Sequence, residues 1–312
     1  MNQEKMLISV VVVCYNCEKY VIDCLISIFN QTYQNLELII TDDASNDNTV
    51  GVVKSWLQKN GQRFIRYEVI SSERNTGVSA NCNRGLFASY GEWIKYIAAD
   101  DLLYPACVEE YINYIKGNAA AKIVFSKPSL FHNIIGDMEN GNSTSALGMY
   151  FWDRAKSAQD QLKMLLRFNR VSACTSFINC KLLKDVGGYD EDIPMVEDIP
   201  MWIRLTSMGH KLYYLNQQLV GYRKSENSLT SQTVNFAKIN ICQIKQYLLI
   251  LEKYRLPMSS GMNSFINKID YFLTSKTVEY CDESNLLYRF FFLSSRMWSH
   301  VVKFISLYVL KS

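Results

Sequence analysis

Several short polar clusters in this 312-residue chain carry residue types that can do chemistry. Cys14-Tyr15-Asn16 follows one apolar run, Asp42-Asp43-Ala44-Ser45-Asn46-Asp47 a second, and Asp100-Asp101 a later one. A nucleobase can stack on the Tyr15 ring. A carboxylate such as Asp43 can accept a hydrogen bond from an imide N–H of uracil. The adjacent carboxylates at 100 and 101 suit a hard cation, which takes oxygen ligands. Such a cation would neutralise a pyrophosphate and assist its departure. A further acidic pair, Glu197-Asp198, opens a helical stretch ended by Gly209. Each cluster also has a plainer reading. Loop aspartates are mostly solvated turn residues. Asp100-Asp101 ahead of Leu102, Leu103 and Pro105 can cap a helix, and the helix dipole favours acidic residues at an N-terminus such as that of Glu197-Asp198. Cys14-x-x-Cys17 matches a redox spacing only superficially. His132, His210 and His300 neighbour no other ligand type and are read as structural.

The elements that must position these clusters alternate between two hydrophobic periods. Residues 7–14 form a near-continuous β-branched run, as expected of a strand covered on both faces. Asn16 can cap a helix with Val21, Ile22, Leu25, Ile26 and Phe29 on one face. Residues 36–41 predict a second strand, and Asp47 a cap for a helix that turns Val50, Val53, Trp56 and Leu57 inward. Residues 64–70, 93–98 and 121–126 predict strands, and 78–89 a helix between the first two of them. Pro105 suits the first turn of a helix carrying Val108, Tyr111, Ile112 and Ile115. This rhythm predicts an α/β fold, a mostly parallel sheet flanked by helices. Ligands of such sheets sit beyond the carboxyl ends of the strands, where the polar clusters fall.

Bulk numbers narrow the class. A chain of this length can bury a full core, as one large domain with an extension or as two domains. With 48% hydrophobic and 20% charged residues it has an ordinary globular composition. A net charge of +3 is too small to argue for nucleic acid as a partner. The nine cysteines are odd in number and scattered, which favours reduced thiols in a cytosolic setting. The apolar run 7–13 is too short for a signal peptide or a membrane span.

The ordered residues carry a resemblance. Ser9 through Cys14-Tyr15-Asn16, then Ser27 to Gln31-Thr32, then Asp42-Asp43-Ala44-Ser45-Asn46-Asp47-Asn48-Thr49 is similar to the opening of family 2 glycosyltransferases with the GT-A fold. Asn75-Thr76-Gly77 through Asn83, and Gly91-Glu92-Trp93-Ile94 into Ala98-Ala99-Asp100-Asp101, continue the match. Gly187-Gly188-Tyr189-Asp190-Glu191, Glu197-Asp198 and Trp202-Ile203-Arg204-Leu205 complete it. The series spans roughly residues 7 to 223.

The resemblance implies an inverting transfer of a sugar from a nucleotide diphosphate, UDP by the match at Asp43, to an acceptor hydroxyl. The enzyme would be a hexosyl- or N-acetylhexosaminyl-transferase. It would act in cell-surface polysaccharide or lipid-linked oligosaccharide synthesis, with a glycan or glycolipid as acceptor and Mn2+ or Mg2+ as cofactor. Cys14, Tyr15, Asn16, Asp43, Asn83 and Asp100 resemble the nucleotide-sugar-binding set. Asp100 and Asp101 resemble the aspartates that hold ribose and metal, and which of the two ligates stays open. Asp198 resembles the general base, with Glu197 orienting the loop or contacting the acceptor. Ala98 stands where many members have aspartate, so the metal motif lacks one carboxylate. Where many members have histidine, the chain reads Tyr222-Arg223-Lys224, and Arg223 or Lys224 can pair with the diphosphate instead. The absence of a Gln/Arg-x-x-Arg-Trp motif and of long apolar spans predicts single additions rather than polymer extrusion.

The expected layout is a GT-A catalytic domain over 1–225, with a nucleotide-sugar part to about 126 and an acceptor part over 127–225, and an α-helical C-terminal extension over 226–312. Between 127 and 160 a polar stretch ends in Tyr150, Phe151 and Trp152, and Tyr150 and Trp152 can face sugar rings or pack in the core. Tyr189 can shape an acceptor pocket or pack. The extension reads as helices at about 233–254, 260–280 and 284–310. In the last, Arg289, Arg296 and Lys303 recur every seven residues opposite an aromatic-rich face. Two mid-helix cations would each cost roughly 2.5–3.5 kcal/mol on an insertion scale, which excludes a span. Residues 284–312 can instead lie in a membrane interface, pack on the catalytic domain, or join a second subunit in a homodimer. The expected location is cytoplasmic, or peripheral on the inner face of the cytoplasmic membrane.

Two rivals are weighed. A sugar nucleotidyltransferase needs a Gly-rich loop after the first strand, and no glycine precedes Gly51. A catalytically impaired nucleotide-sugar- or carbohydrate-binding protein of the same fold is the alternative that Ala98 leaves standing. No Gly-x-Gly-x-x-Gly follows any strand, which excludes a dinucleotide-binding oxidoreductase.

Overall fold

The β-branched run becomes β1 (Ile8–Cys14), which lies inside a mixed sheet and is paired in parallel on both sides. The computed structural model describes residues 6–131, 152, 156–169, 171–224, 241–280 and 286–309. Within them the other strands are β2 (Leu36–Asp42), β3 (Arg66–Ser71), β4 (Trp93–Ala98), β5 (Leu102–Leu103), β6 (Ile123–Phe131), β7 (Phe177–Asn179) and β8 (Tyr213–Arg223). Their order is β3-β2-β1-β4-β7-β6-β8-β5. The pairings β1–β2, β1–β4, β2–β3 and β6–β8 are parallel, and β4–β7, β6–β7 and β5–β8 antiparallel. The mostly parallel α/β sheet read from the sequence is the observed one.

Alternation along β1 divides the core. Val10 and Val12 face one side of the sheet and Val11 the other. Helices α1 (Val21–Phe29), α2 (Thr49–Asn60) and α4 (Cys107–Gly117) cover the first side. The other side carries α3 (Val78–Ala88), α5 (Ala158–Leu165), α6 (Cys180–Asp185) and α7 (Asp198–Ser207). Gly85 lets α3 lie close on β1, since a Cβ there would meet Val11 Cγ1 at 2.3 Å. Trp202 of α7 is fully buried, edge-on to Phe125 of β6 at 4.9 Å.

Some local expectations differ. Asn16 does not cap α1: Tyr20 takes that position without a side-chain bond, and Asn16 sits at φ +51°. Ile26 is exposed, and Cys24 and Ile28 are buried in its stead. Asp47 lies one residue too early to be the cap of α2, although its Oδ1 still accepts the Thr49 N–H at 3.0 Å. Strand β6 runs on to Phe131, past Pro128, because the register shifts at Lys127 and Pro128. A proline, which cannot donate to the ladder, is tolerated at such irregularities.

Within the described residues the C-terminal extension is helical as expected, and the start of the first expected helix, 233–240, lies outside them. Helix α8 (Ile241–Ile250) passes through a π turn, Leu251–Arg255, into Leu256–Met258. Helices α9 (Gly261–Glu279) and α10 (Leu286–Val309) follow and pack on each other through Phe272, Tyr280 and Phe291. Two places bond the extension to the sheet domain: Asn263 of α9, which accepts from Arg167 and donates to the Lys163 carbonyl at 3.1 Å, and the π turn. Lys253 Nζ contacts Asp190 and Asp192 at 2.9 and 2.8 Å, and the Tyr254 hydroxyl donates to Asp190. Among the described residues no helix is long and apolar enough to cross a membrane.

Candidate functional site

Parallel register brings the chemistry-bearing loops to one rim. Cys14 pairs with Asp42 and Val13 with Ala98, so β1, β2 and β4 end at the same level. The Asp43 N–H donates to the Cys14 carbonyl and the Ala99 N–H to the Val13 carbonyl, both at 3.1 Å. Asn81 on α3 donates to the carbonyls of Cys14 and Thr41, closing the ends of β1 and β2 from below. Cys14 is buried, while Tyr15 is 48% exposed and offers its ring to solvent. The left-handed Asn16 lets its Oδ1 accept from the Asn46 N–H while its own N–H donates to Ser45 Oγ, each at 2.8 Å. Asn16 thus ties the first loop to the second.

Asp43 is bonded inside the protein. Its carboxylate accepts from the Thr76 N–H and hydroxyl, from the Gly77 N–H at 2.7 Å, and from Arg84 at 2.6 Å. Burial pushes this carboxyl up, but the bonds from Thr76, Arg84 and Gly77 outweigh it, and its pKa is lowered. A carboxylate offers about four acceptor sites, and these donors occupy them. Gly77 sits at φ +92°, and a Cβ there would lie 2.5 Å from the Pro194 carbonyl oxygen. Only glycine allows the 190–197 loop to approach this closely.

At the neighbouring loop Asp101 is buried and Asp100 half-buried. The Arg223 N–H donates to Asp101 Oδ1 at 2.9 Å, and Arg223 Nε donates to the Asp100 carbonyl at 2.8 Å. The Arg223 guanidinium lies between the rings of Tyr20 and Phe131 and pairs with Asp23 at 3.3 Å. Burial raises the Asp100 carboxyl, opposed by its own N–H and Arg223. Burial and then the Asp100 charge raise Asp101 well above the usual range. Among the described residues no three Asp, Glu, His or Cys side chains gather closely enough to hold a metal ion.

Glu197 and Asp198 stand half-buried at the N-terminus of α7. Burial and the Asp198 charge push Glu197 up to about 8. Burial also raises Asp198, against the Ile199 N–H and the Asn169 amide, which donates to Asp198 Oδ2 at 2.7 Å. Three contacts run from this loop to the rim. Pro194 abuts Gly77, its carbonyl accepts from the Ser79 N–H at 3.3 Å, and Ser79 Oγ donates to the Ile193 carbonyl at 2.7 Å.

Other expected residues lie elsewhere. Asn83 clamps the 188–191 loop, exchanging hydrogen bonds with the Tyr189 main chain and donating to Glu191. Trp152 stacks on Tyr214 at 4.9 Å, within the core. Tyr189 is buried, edge-on to Tyr96. Lys224 is exposed and its N–H donates to the Phe131 carbonyl. Tyr150 lies outside the described residues. All eight cysteines among the described residues are free thiols.

Four residues of the site were not anticipated. Asn169, Asn81 and Arg84 are polar side chains whose partners are distant in sequence, and nothing local marks them. Lys95 did carry a signal, a cation inside an apolar strand. It is fully buried, and its ammonium donates to the Tyr96 and Cys174 carbonyls. Burial lowers its pKa.

Comparisons agree with this architecture. A glycosyltransferase of Haemophilus influenzae is 28% identical over 231 residues, covering 72% of this chain and 68% of the relative. A second, from Methanocaldococcus jannaschii, is 28% identical over 224 residues, covering 71% and 72%. Residues 1–349 of S. aureus TarS, solved in complex with UDP-GlcNAc, superpose with a TM-score of 0.62 at 16% identity, over 93% of this chain and 79% of that one. The mannosyltransferase PcManGT of Pyrobaculum calidifontis, solved with GDP-Man and Mn2+, gives 0.57 at 14% identity, over 96% and 87%. At such identities the structural likeness speaks for the fold, which is of the GT-A type. Residues 9–186, more than half the chain, match the model of glycosyl transferase family 2. The chain belongs to glycosyl transferase family 2.

Proposed function

We propose that the chain is an inverting transferase that moves a hexosyl or N-acetylhexosaminyl group from a UDP-sugar to an acceptor hydroxyl of a glycan or glycolipid, in cell-surface polysaccharide or lipid-linked oligosaccharide synthesis. The observation that carries this reading is the contact of the 190–197 loop with Gly77, beside the rim where β1, β2 and β4 end. That rim carries Asp100-Asp101, and the loop leads into Glu197-Asp198 at the head of α7. The division at about residues 126 and 225 belongs to the same proposal.

Tyr15 stacks the base, and main-chain groups around Cys14 and Asn16 line its edge. Asp43 shapes that edge from behind, by holding Thr76 and Gly77. Asp198 takes the acceptor O–H proton as the acceptor oxygen forms its bond to the anomeric carbon. The bond from that carbon to the diphosphate oxygen breaks, and its electrons leave with the nucleotide diphosphate. Glu197 stays protonated at neutral pH and keeps a second negative charge away from Asp198 until the transfer.

The donor set fits a hard divalent cation such as Mn2+ or Mg2+: Asp100 is half-open at the rim, and Asp101 keeps one oxygen beyond the Arg223 N–H bond. When bound, the ion supplies charge neutralisation of the leaving diphosphate. Arg223, fixed between Tyr20 and Phe131, holds the Asp100-Asp101 turn in shape for it.

The test is turnover. Wild-type chain is assayed for donor hydrolysis and transfer with manganese, after a panel of UDP-, GDP- and dTDP-sugars has been ranked by thermal stabilisation. Asp198→Asn is expected to cut transfer by at least about a hundredfold while leaving donor stabilisation intact. Asp100→Ala is expected to lower both. Equal, slow nucleotide release by all three proteins would favour a nucleotide-sugar-binding protein without transfer activity.

A further inference from the structure

The C-terminal helical hairpin has an open apolar side. Helix α10 uses one face to pack on α9, where Tyr288 and Val302 are buried and Phe291 meets Phe272 and Tyr280. A different face stays in solvent: Phe290, Leu293, Met297 and Val301 are 60%, 50%, 72% and 45% exposed, at a spacing that places them on one side of the helix. On α9, Phe265 and Phe272 are 58% and 52% exposed and seven residues apart. Phe272 touches Phe291, which in turn lies 5.3 Å from Phe290, so the two helices present one continuous apolar surface. Exposed patches of this kind mark interaction sites.

Charge selects the occupant. Residues 241–312 contain nine Lys and Arg and five Asp and Glu, a balance of +4, whereas the whole chain stands at +3 and the remainder is therefore −1. The extension thus holds all of the chain's excess positive charge. Lys268 is exposed between Phe265 and Phe272, on the same side of α9. In the sequence of α10, Arg289, Arg296 and Lys303 recur every seven residues. An exposed apolar surface on a segment of net positive charge is the pattern of a helix lying in the interface of an anionic bilayer.

We infer that the α9–α10 hairpin docks the protein flat on an anionic lipid surface, with Phe265, Phe272, Phe290, Leu293, Met297 and Val301 entering the headgroup boundary. This inference does not depend on the catalytic reading. Lipid binding needs no donor, so its failure and the failure of the transferase proposal are separate results.

The experiment is vesicle flotation with the full chain, using phosphatidylcholine alone and phosphatidylcholine with a quarter phosphatidylglycerol. The wild type is expected to float with the anionic vesicles and to be released by added salt. Phe290→Glu with Met297→Glu is expected to weaken binding at least tenfold. Lys268→Glu, an exposed change with no packing consequence, is expected to weaken it by roughly tenfold. Unchanged far-UV circular dichroism and melting temperature certify each variant as folded. A wild type that stays at the bottom of the gradient overturns the proposal, as does undiminished flotation of the folded double variant. A dimer seen by light scattering, dissolved by the same double variant and indifferent to vesicles, assigns the surface to a second copy and overturns it too.

Discussion

Glu197 and Asp198 differ in what surrounds them, and the difference sets the acid limb of any pH profile. Asp198 has an amide donor in Asn169 and the Ile199 N–H, both of which favour its charged form. Glu197, pushed up to about 8, keeps its proton at neutral pH. The acid limb of kcat/KM is therefore expected above the ordinary carboxylate range. Asn169→Ala removes a donor worth roughly 1.5–3 kcal/mol to a charged acceptor. It should move that limb to higher pH, whereas a purely structural role would lower activity without moving it. Stability carries a second signature. A carboxyl with a raised folded pKa binds more protons folded than unfolded between its unfolded value and about 8, so stability falls as pH rises through that window. Urea midpoints measured from pH 5 to 8 should decline in the wild type and decline less in Glu197→Gln. At this scale Asp198 and Asp100 were legible because each sits just after a strand or at a helix head. Asp43 was legible as a rim residue, but its four internal donors were not, since Thr76, Gly77 and Arg84 approach only once α3 has packed.

At the scale of elements, α3 is held by what glycine leaves out. Gly→Ala in an exposed helix interior normally stabilises by about 1 kcal/mol. At Gly85 the sign should reverse, because the new Cβ would meet Val11 Cγ1 at 2.3 Å. Overpacking of this kind costs about 1–3 kcal/mol, visible as a lower urea midpoint with an unchanged m-value. The same scale shows why some elements could be read and others not. Residues 93–98 and the buried set Val108, Tyr111, Ile112 and Ile115 announce themselves by period, and the structure follows them. Strand β7 has three residues and β5 two, too few to show any period. Asn16 looked like a cap because its side chain can accept hydrogen bonds, but its main chain turns left-handed and spends that oxygen on Asn46. Pro128 hid the second half of β6, since a register shift is invisible until the partner strand is known.

At the scale of the whole molecule, one short length of chain meets several parts at once. The 188–194 segment is bonded on one side to α3, through Asn83 and Ser79, and on the other to the π turn, through Lys253 and Tyr254. Rim, acidic pair and helical extension therefore share one connector. Heat should not be able to loosen one end alone: calorimetry is expected to record a single endotherm whose van't Hoff and calorimetric enthalpies agree. Cutting the outer stitches with Lys253→Ala and Tyr254→Phe, together with Asn263→Ala to remove the bonds to Arg167 and Lys163, should split off an earlier, smaller endotherm for the extension. A segment only a few residues long would then act as the keystone of the chain, and its most damaging substitutions would be felt far from where they were made.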